Sequence, residues 1–179
     1  FGTKINSSNI DENIERIAKQ VLPYNKDKFY PLVKELFIAL GYNCTQSQHG
    51  VNYQRWDAII VDPHHSIPIE IKSPGEEEYI SVKAVRQALE NKIILLARAH
   101  KDYPTHESIT SLVVGYNLPN DRSEVESLIL DIYKAFNMII GIIDIRSLLK
   151  LVMYSNFLIK KHNTEELIKL RGFIDVRNT

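Results

Sequence analysis

WDAIIVDPHHSIPIEIKSP, from Trp56 to Pro74, contains the clearest indications of the fold in this sequence. Its two halves, WDAIIVD and SIPIEIKS, are short apolar runs rich in isoleucine, a composition typical of buried β-strands. The DPHH between them is typical of a turn, so the stretch predicts a β-hairpin. Pro68 has no amide proton to donate, which predicts an unpaired or bulged strand edge at that position.

Three charged residues interrupt this apolar hairpin: Asp57 in the first run, and Glu70 and Lys72 in the second. If the chain turns around residue 64, position 57 pairs near position 71, and Asp57 lies about 5–8 Å from the other two charges. Glu70 and Lys72 are two residues apart, so their side chains leave the same face of the strand. The hairpin therefore predicts that two carboxylates and an ammonium group converge at one edge of the sheet.

Such a group suits phosphodiester hydrolysis with Mg²⁺. Two carboxylate ligands, water and a substrate phosphate complete an open magnesium site, because this ion rarely takes an all-protein cage. The ion polarises the phosphate and helps generate hydroxide, while a neighbouring lysine positions water or offsets developing charge. Asp62 lies at the turn, about 13 Å along the ladder from Glu70, and is rejected as a ligand. The competing interpretation makes Glu70 and Lys72 an ordinary cross-strand pair on a solvated face.

The series helix, WDAIIVD, turn, IPIEIKSP, helix resembles the PD-(D/E)XK nuclease superfamily, with Asp57 and then Glu70-Ile71-Lys72 as the signature. The resemblance covers roughly residues 28–116, where the order of elements agrees with the common core of that superfamily. It implies that Asp57 and Glu70 bind Mg²⁺, that Lys72 assists the attacking water, and that the chain cleaves DNA. The whole chain is most similar to the small catalytic subunit of heterodimeric type IIS restriction endonucleases, whose large subunit recognises DNA and is itself a nicking enzyme.

The resemblance also implies accessory residues on the neighbouring helices. Several members of the superfamily place a helix glutamate near the metal, and Glu35 is the candidate here. Tyr30 occupies the place where a glutamate often follows phenylalanine, so Glu35 has the alternative of being a solvated helix residue. Gln87, in VRQALENK, resembles a glutamine that some members direct at the site or the phosphate.

The polar segment before the hairpin, TQSQHGVNYQR, supplies candidate DNA contacts in His49, Tyr53 and Arg55. The alternative is that this segment is only a polar loop that contains a histidine. Cys44 is the single cysteine, so the chain offers no disulfide framework and no cysteine-based zinc cluster. A Gly-rich phosphate loop and a CxxC pair are also absent from the sequence.

Hydrophobic periodicity predicts an α/β fold, a restriction-endonuclease-like mixed sheet with helices on both faces. The 179 residues suit a single nuclease domain over 1–179, with its common core at about 28–116 and a C-terminal strand and helices at 122–170. Beyond the hairpin, the predicted helices are 7–22, 27–40, 81–100, 122–136 and much of 144–170, and the predicted strands are 110–116 and 138–143.

Charge limits how this chain meets DNA. Lys plus Arg is 22 and Asp plus Glu is 22, so the formal net charge is zero, whereas autonomous DNA-binding proteins usually carry a basic excess. The one basic stretch holds Lys160, Lys161 and Lys169 and is typical of a packing helix. Double-stranded DNA is therefore expected to be recognised by a larger partner subunit. The apolar runs are too short to span a bilayer and no signal sequence is visible, which predicts a cytoplasmic protein without a membrane partner.

Two other functions fit the same residues. A self-sufficient homodimer, such as an orthodox type II restriction enzyme or a junction resolvase, would cut DNA without any added protein. A non-catalytic interaction domain of the same fold would show no metal-stimulated cleavage, and the intact set of Asp57, Glu70 and Lys72 argues against it.

Overall fold

In the described part of the chain two helices and then three strands come first, and helices and strands alternate after them, as the α/β class predicts. The computed structural model describes residues 7–47, 54–99, 101–158 and 170–174. The strands in these ranges are β1 (Cys44–Gln46), β2 (Ala58–Ile60), β3 (Ile67–Ile71), β4 (Ser111–Gly115), β5 (Ile140–Asp144) and β6 (Gly172–Ile174). The helices in the same ranges are α1 (Ser7–Val21), α2 (Lys26–Ala39), α3 (Val82–Arg98), α4 (Val125–Phe136) and α5 (Ile145–Leu158).

The strands form one mixed sheet in the order β1-β2-β3-β4-β5-β6. The first three strands pair antiparallel and the rest pair parallel, which confirms the predicted β2–β3 hairpin. Ala58 pairs with Ile69, so the next step of the ladder brings Asp57 opposite Glu70. The predicted pairing of position 57 near position 71 is therefore wrong by one residue, and the correction places the two carboxylates directly across from each other.

Helices cover both faces of the sheet, as predicted. On one face α1, α2 and α5 pack against a large apolar cluster that includes Ile69 and Val114, while α3 and α4 pack on the other face against Val113 and Ile142. The alternation along each strand explains this division, since neighbouring residues point to opposite faces. Glu70 follows Ile69 and so lies on the α3 side of the sheet.

Two ends of the sheet and one helix differ from the sequence predictions. The edge strands β1 and β6 are present although neither was predicted. The helix expected within 144–170 is described as α5 up to Leu158, and residues 159–169, with the basic stretch, lie outside the described residues. None of the described helices is long and apolar enough to cross a membrane.

Pro68 lies inside β3 and faces Ile59 in the antiparallel ladder. The parallel pairing of β3 with β4 begins only at the next residue, Ile69. Pro68 therefore lies just before the β3–β4 ladder, and its missing amide donor removes no hydrogen bond to β4.

Candidate active site

The structure brings Asp57, Glu70 and Lys72 together on the hairpin. The Nζ atom of Lys72 lies 2.8 Å from Oε1 of Glu70, and both side chains are almost fully buried. The Oδ2 atom of Asp57 accepts a hydrogen bond of 2.7 Å from the backbone amide of Ile71, the residue between the other two. This backbone contact holds the Asp57 carboxylate against the strand that carries Glu70 and Lys72.

The electrostatics of these three groups favour an added cation. Burial raises the pKa of Asp57 above its usual range, and the nearby charge of Glu70 raises it further. Burial alone lowers the pKa of Lys72, but the hydrogen bond and charge of Glu70 outweigh this effect, so the pKa of Lys72 is raised overall. Two carboxylates held together against one ammonium leave a negative charge that a bound cation would offset.

The three residues line a cleft of about 1070 Å³ between the hairpin, the start of α2 and one face of α3. The cleft has no basic excess of its own among the described residues, because four basic and five acidic side chains line it. The basic residues are Lys26, Arg55, Lys72 and Arg98, and the acidic residues are Asp27, Asp57, Glu70, Glu76 and Glu90.

Glu76, which the sequence did not indicate, lines this cleft and accepts hydrogen bonds from three donor groups. Its Oε2 atom accepts from the amide of Ser73 at 3.0 Å and from the Ser73 hydroxyl at 2.8 Å. The hydroxyl of Tyr30 lies 3.1 Å from both carboxylate oxygens of Glu76. Burial raises the pKa of Tyr30, and the charges of Asp57 and Glu76 add to the effect, so the hydroxyl stays a donor. These contacts tie α2 to the loop that follows Lys72.

The structure corrects the prediction that Glu35 is an accessory residue of the site. Its side chain is 62% exposed and its carboxylate pairs with Lys34 at 2.9 Å. It lies one helical turn beyond Tyr30 and Pro31, the last residues of α2 that line the cleft, and it is not among the lining residues. The solvated alternative therefore fits Glu35, and we exclude it from the site.

The remaining candidates divide between the cleft and the part of the chain outside the described residues. Gln87 and Arg55 line the cleft. The Oε1 atom of Gln87 is buried and accepts no hydrogen bond from the described residues. His49 and Tyr53 lie outside the described residues.

Asn91 is a second residue that the sequence reasoning missed. Its Nδ2 atom donates a buried hydrogen bond of 2.8 Å to Oε2 of Glu70. In the sequence its only signal is its position, four residues after Gln87, which places both side chains on the same face of α3.

The donor atoms of the site fit a hard cation such as Mg²⁺. Asp57 and Glu70 supply carboxylate oxygens, and the buried Oε1 of Gln87 is an acceptor in need of a donor, such as a water ligand. The described part of the chain contains no group of three or more His, Cys, Asp or Glu that could hold a metal ion. Two carboxylates with open positions for water and phosphate match the way proteins usually bind Mg²⁺, rather than a closed protein cage.

The order of the strands, the helices on both faces and the cleft define a restriction-endonuclease-like fold. The restriction endonuclease FokI, in a structure bound to DNA, matches with a TM-score of 0.58 and 15% sequence identity over 97% of this chain. The chain spans 31% of the FokI chain. At this identity the similarity shows the fold alone. No protein-family model and no curated protein sequence matches the chain.

Proposed function

We propose that this chain is a Mg²⁺-dependent endodeoxyribonuclease subunit that hydrolyses one strand of duplex DNA. A separate, larger recognition subunit directs it to its site, as in a type IIS restriction enzyme. The observation that carries this proposal is the convergence of Asp57 and Glu70, with Lys72 2.8 Å from Glu70, in one cleft. The fold neighbour FokI is bound to DNA in its own structure, which supports DNA as the substrate class.

In this proposal Asp57 and Glu70 hold the divalent cation through their carboxylate oxygens. When bound, the ion supplies Lewis-acid polarisation of the scissile phosphate and activation of the attacking water. Lys72 carries its charge at neutral pH and stabilises the negative charge that develops on the phosphate in the transition state. The Oε1 atom of Gln87 accepts a hydrogen bond from the attacking water and orients it.

The basic residues at the rim of the cleft contact the DNA backbone in this proposal. Lys26 begins α2, Arg98 ends α3, and Arg55 precedes β2, so each lies on a different wall. His49 and Tyr53, which lie outside the described residues, are further proposed DNA contacts. One such site cuts one strand, so cleavage of both strands needs a second nuclease site on the partner.

The test is a nicking assay on supercoiled plasmid with Mg²⁺, with the chain alone and with the proposed recognition subunit added. Asp57→Asn and Glu70→Gln should each lower the rate by about 10²–10³-fold or more, because each removes a ligand charge. Glu35→Gln is the matched control, since it removes the same charge from an exposed residue. Equal rates for all three variants and the wild-type chain would reject the site.

The same assay separates the two alternatives. If the chain cuts both strands without any added protein, it is the self-sufficient homodimer. A chain that shows no metal-stimulated nicking with any partner is the interaction domain.

A further inference from the structure

Asn91 is a buried amide on the side of α3 that packs against the sheet. It is 4% exposed, and the same helix buries Ala84, Ala88 and Leu95. An apolar side chain at this position would bury more hydrocarbon without the cost of desolvating an amide. The amide is therefore explained by the hydrogen bond of 2.8 Å that it donates to Glu70.

This bond restricts the direction in which Glu70 points. A glutamate has three side-chain torsions, and an untethered carboxylate samples several orientations. Here Lys72 holds Oε1 at 2.8 Å and Asn91 holds Oε2 at 2.8 Å, so both oxygens are fixed. Each oxygen has two lone pairs and keeps acceptor capacity after these bonds.

For cation binding, the zero charge of the Asn91 amide is as important as its position within hydrogen-bonding distance of Glu70. A second lysine at position 91 would orient Glu70 equally well, but it would cancel the charge that attracts a cation. An amide donor fixes the carboxylate and leaves its charge intact. Asp57 is held in a comparable way, since its donor is the neutral backbone amide of Ile71.

We infer that Asn91 is a positioning residue that fixes the Glu70 carboxylate in the orientation that binds the divalent cation. This inference rests on the proposed function, because it concerns how Asn91 orients a proposed metal ligand, Glu70. Removing a hydrogen-bond partner of a metal ligand typically weakens metal binding about 10–100-fold. We expect a loss of this size for Asn91 variants, with DNA affinity measured in EDTA unchanged.

The test measures Mn²⁺ binding to the full, metal-free chain by isothermal titration calorimetry, with Mn²⁺ as the probe for a divalent cation. Asn91→Leu keeps the branched shape and the number of side-chain heavy atoms but removes the donor, and Asn91→Ser is a second variant that is too short to reach Glu70. Ser111→Ala is the matched control, because it removes a different buried hydrogen bond to α3, the one from Ser111 Oγ to the carbonyl of Ala88 at 2.9 Å.

The inference predicts Mn²⁺ affinity about 10–100-fold weaker for both Asn91 variants and unchanged for Ser111→Ala. A purely structural role would lower the melting temperature of all three variants without changing the Mn²⁺ affinity of the folded chain. Wild-type affinity in either folded Asn91 variant overturns the inference, while loss of binding in Asp57→Asn keeps the proposed function. If Asp57→Asn binds Mn²⁺ as tightly as the wild-type chain does, the proposed function fails and the inference fails with it.

Discussion

Lys72 and Glu70 form an ion pair whose side chains are only 9% and 5% exposed. A buried pair contributes little net stability, but removing one partner leaves an uncompensated charge in a poorly solvated place. Lys72→Met should therefore destabilise the metal-free chain by about 3–5 kcal/mol, in addition to losing cleavage activity. The double variant Lys72→Met/Glu70→Gln should recover most of this loss, because it removes the stranded charge as well. Urea unfolding in EDTA measures both effects.

An exposed ion pair on the same protein serves as the control for this prediction. Lys34 and Glu35 lie 2.9 Å apart, but their side chains are 29% and 62% exposed. Lys34→Met should cost less than about 1 kcal/mol, since solvent screens an exposed pair. Similar losses for Lys34→Met and Lys72→Met would mean that burial does not set the cost of breaking the Lys72–Glu70 pair.

The charge of Asp57 is unfavourable in the metal-free fold, although the proposed function requires it. Its charge is disfavoured by burial and by Glu70, and both effects raise its pKa. Asp57→Asn should therefore stabilise the metal-free chain, by at least about 1 kcal/mol, while it loses cleavage activity. Thermal unfolding in EDTA measures this gain, which Mg²⁺ should reverse by stabilising only the wild-type chain. A less stable Asp57→Asn chain would contradict the repulsion between the two carboxylates.

The helix α3 carries Gln87 and Asn91 in the cleft and, away from the cleft, a buried lysine. Lys92 is 1% exposed, its Nζ lies 2.7 Å from the hydroxyl of Thr105, and burial lowers its pKa from 10.5 to about 7. Between these two pH values the unfolded chain binds a proton that the folded chain does not, so stability rises with pH. The expected slope is at most about 1.4 kcal/mol per pH unit, and Lys92→Met should remove it. Urea unfolding between pH 7 and 9 measures the slope.

The experiment stops at pH 9 because above this pH the buried thiol of Cys44 changes the stability in the direction opposite to Lys92. Burial raises the pKa of the Cys44 thiol from 9.0 to about 12, so its contribution falls as the pH rises through that window. Lys83→Met is the control, since Lys83 is an exposed lysine on the same helix. An unchanged slope in Lys92→Met would show that Lys92 keeps its proton in the fold.

At the scale of elements, the sequence predicted what periodicity can reveal. The β2–β3 hairpin, the long helix α3 and the strands β4 and β5 carry enough apolar residues to show their period, and all are present. The edge strands β1 (CTQ) and β6 (GFI) have three residues each, as β2 has, but they lack the isoleucine-rich run that indicates β2 and β3 in the sequence. The register of the hairpin was predicted one residue off because the turn was centred on residue 64, whereas the pairs Ala58–Ile69 and Ile60–Ile67 centre it between Pro63 and His64.

The site was predictable only where its residues stand out against apolar neighbours. Glu70 and Lys72 interrupt a run of isoleucines, so the sequence alone indicates them as candidate site residues. Asn91 and Glu76 stand among other polar residues and look solvated, and only the packing of α3 and of the loop after β3 brings them to the cleft. Such contacts depend on tertiary structure, which local patterns do not encode.

The net charge of the chain bears on how it would bind DNA under the proposed function. The formal net charge is zero, and the described residues of the cleft include four basic and five acidic side chains. Contacts between basic side chains and phosphates supply most non-specific affinity, and long-range attraction needs a basic excess. In the proposed function, a bound divalent cation would therefore supply most of the attraction of the cleft for DNA.

The isolated chain should accordingly bind duplex DNA weakly and without useful sequence preference. Specific binding adds roughly 4–10 kcal/mol over non-specific binding, through a dedicated element that contacts base edges in a groove. The cleft residues proposed to meet DNA, Lys26, Arg55 and Arg98, are suited to phosphates, which carry no sequence information. The measurement is a titration of random and site-containing duplexes near physiological salt, with Ca²⁺ in place of Mg²⁺, first with the chain alone and then with the recognition subunit. Selectivity should appear only with the subunit, and nanomolar, sequence-selective binding by the chain alone would favour the self-sufficient homodimer instead.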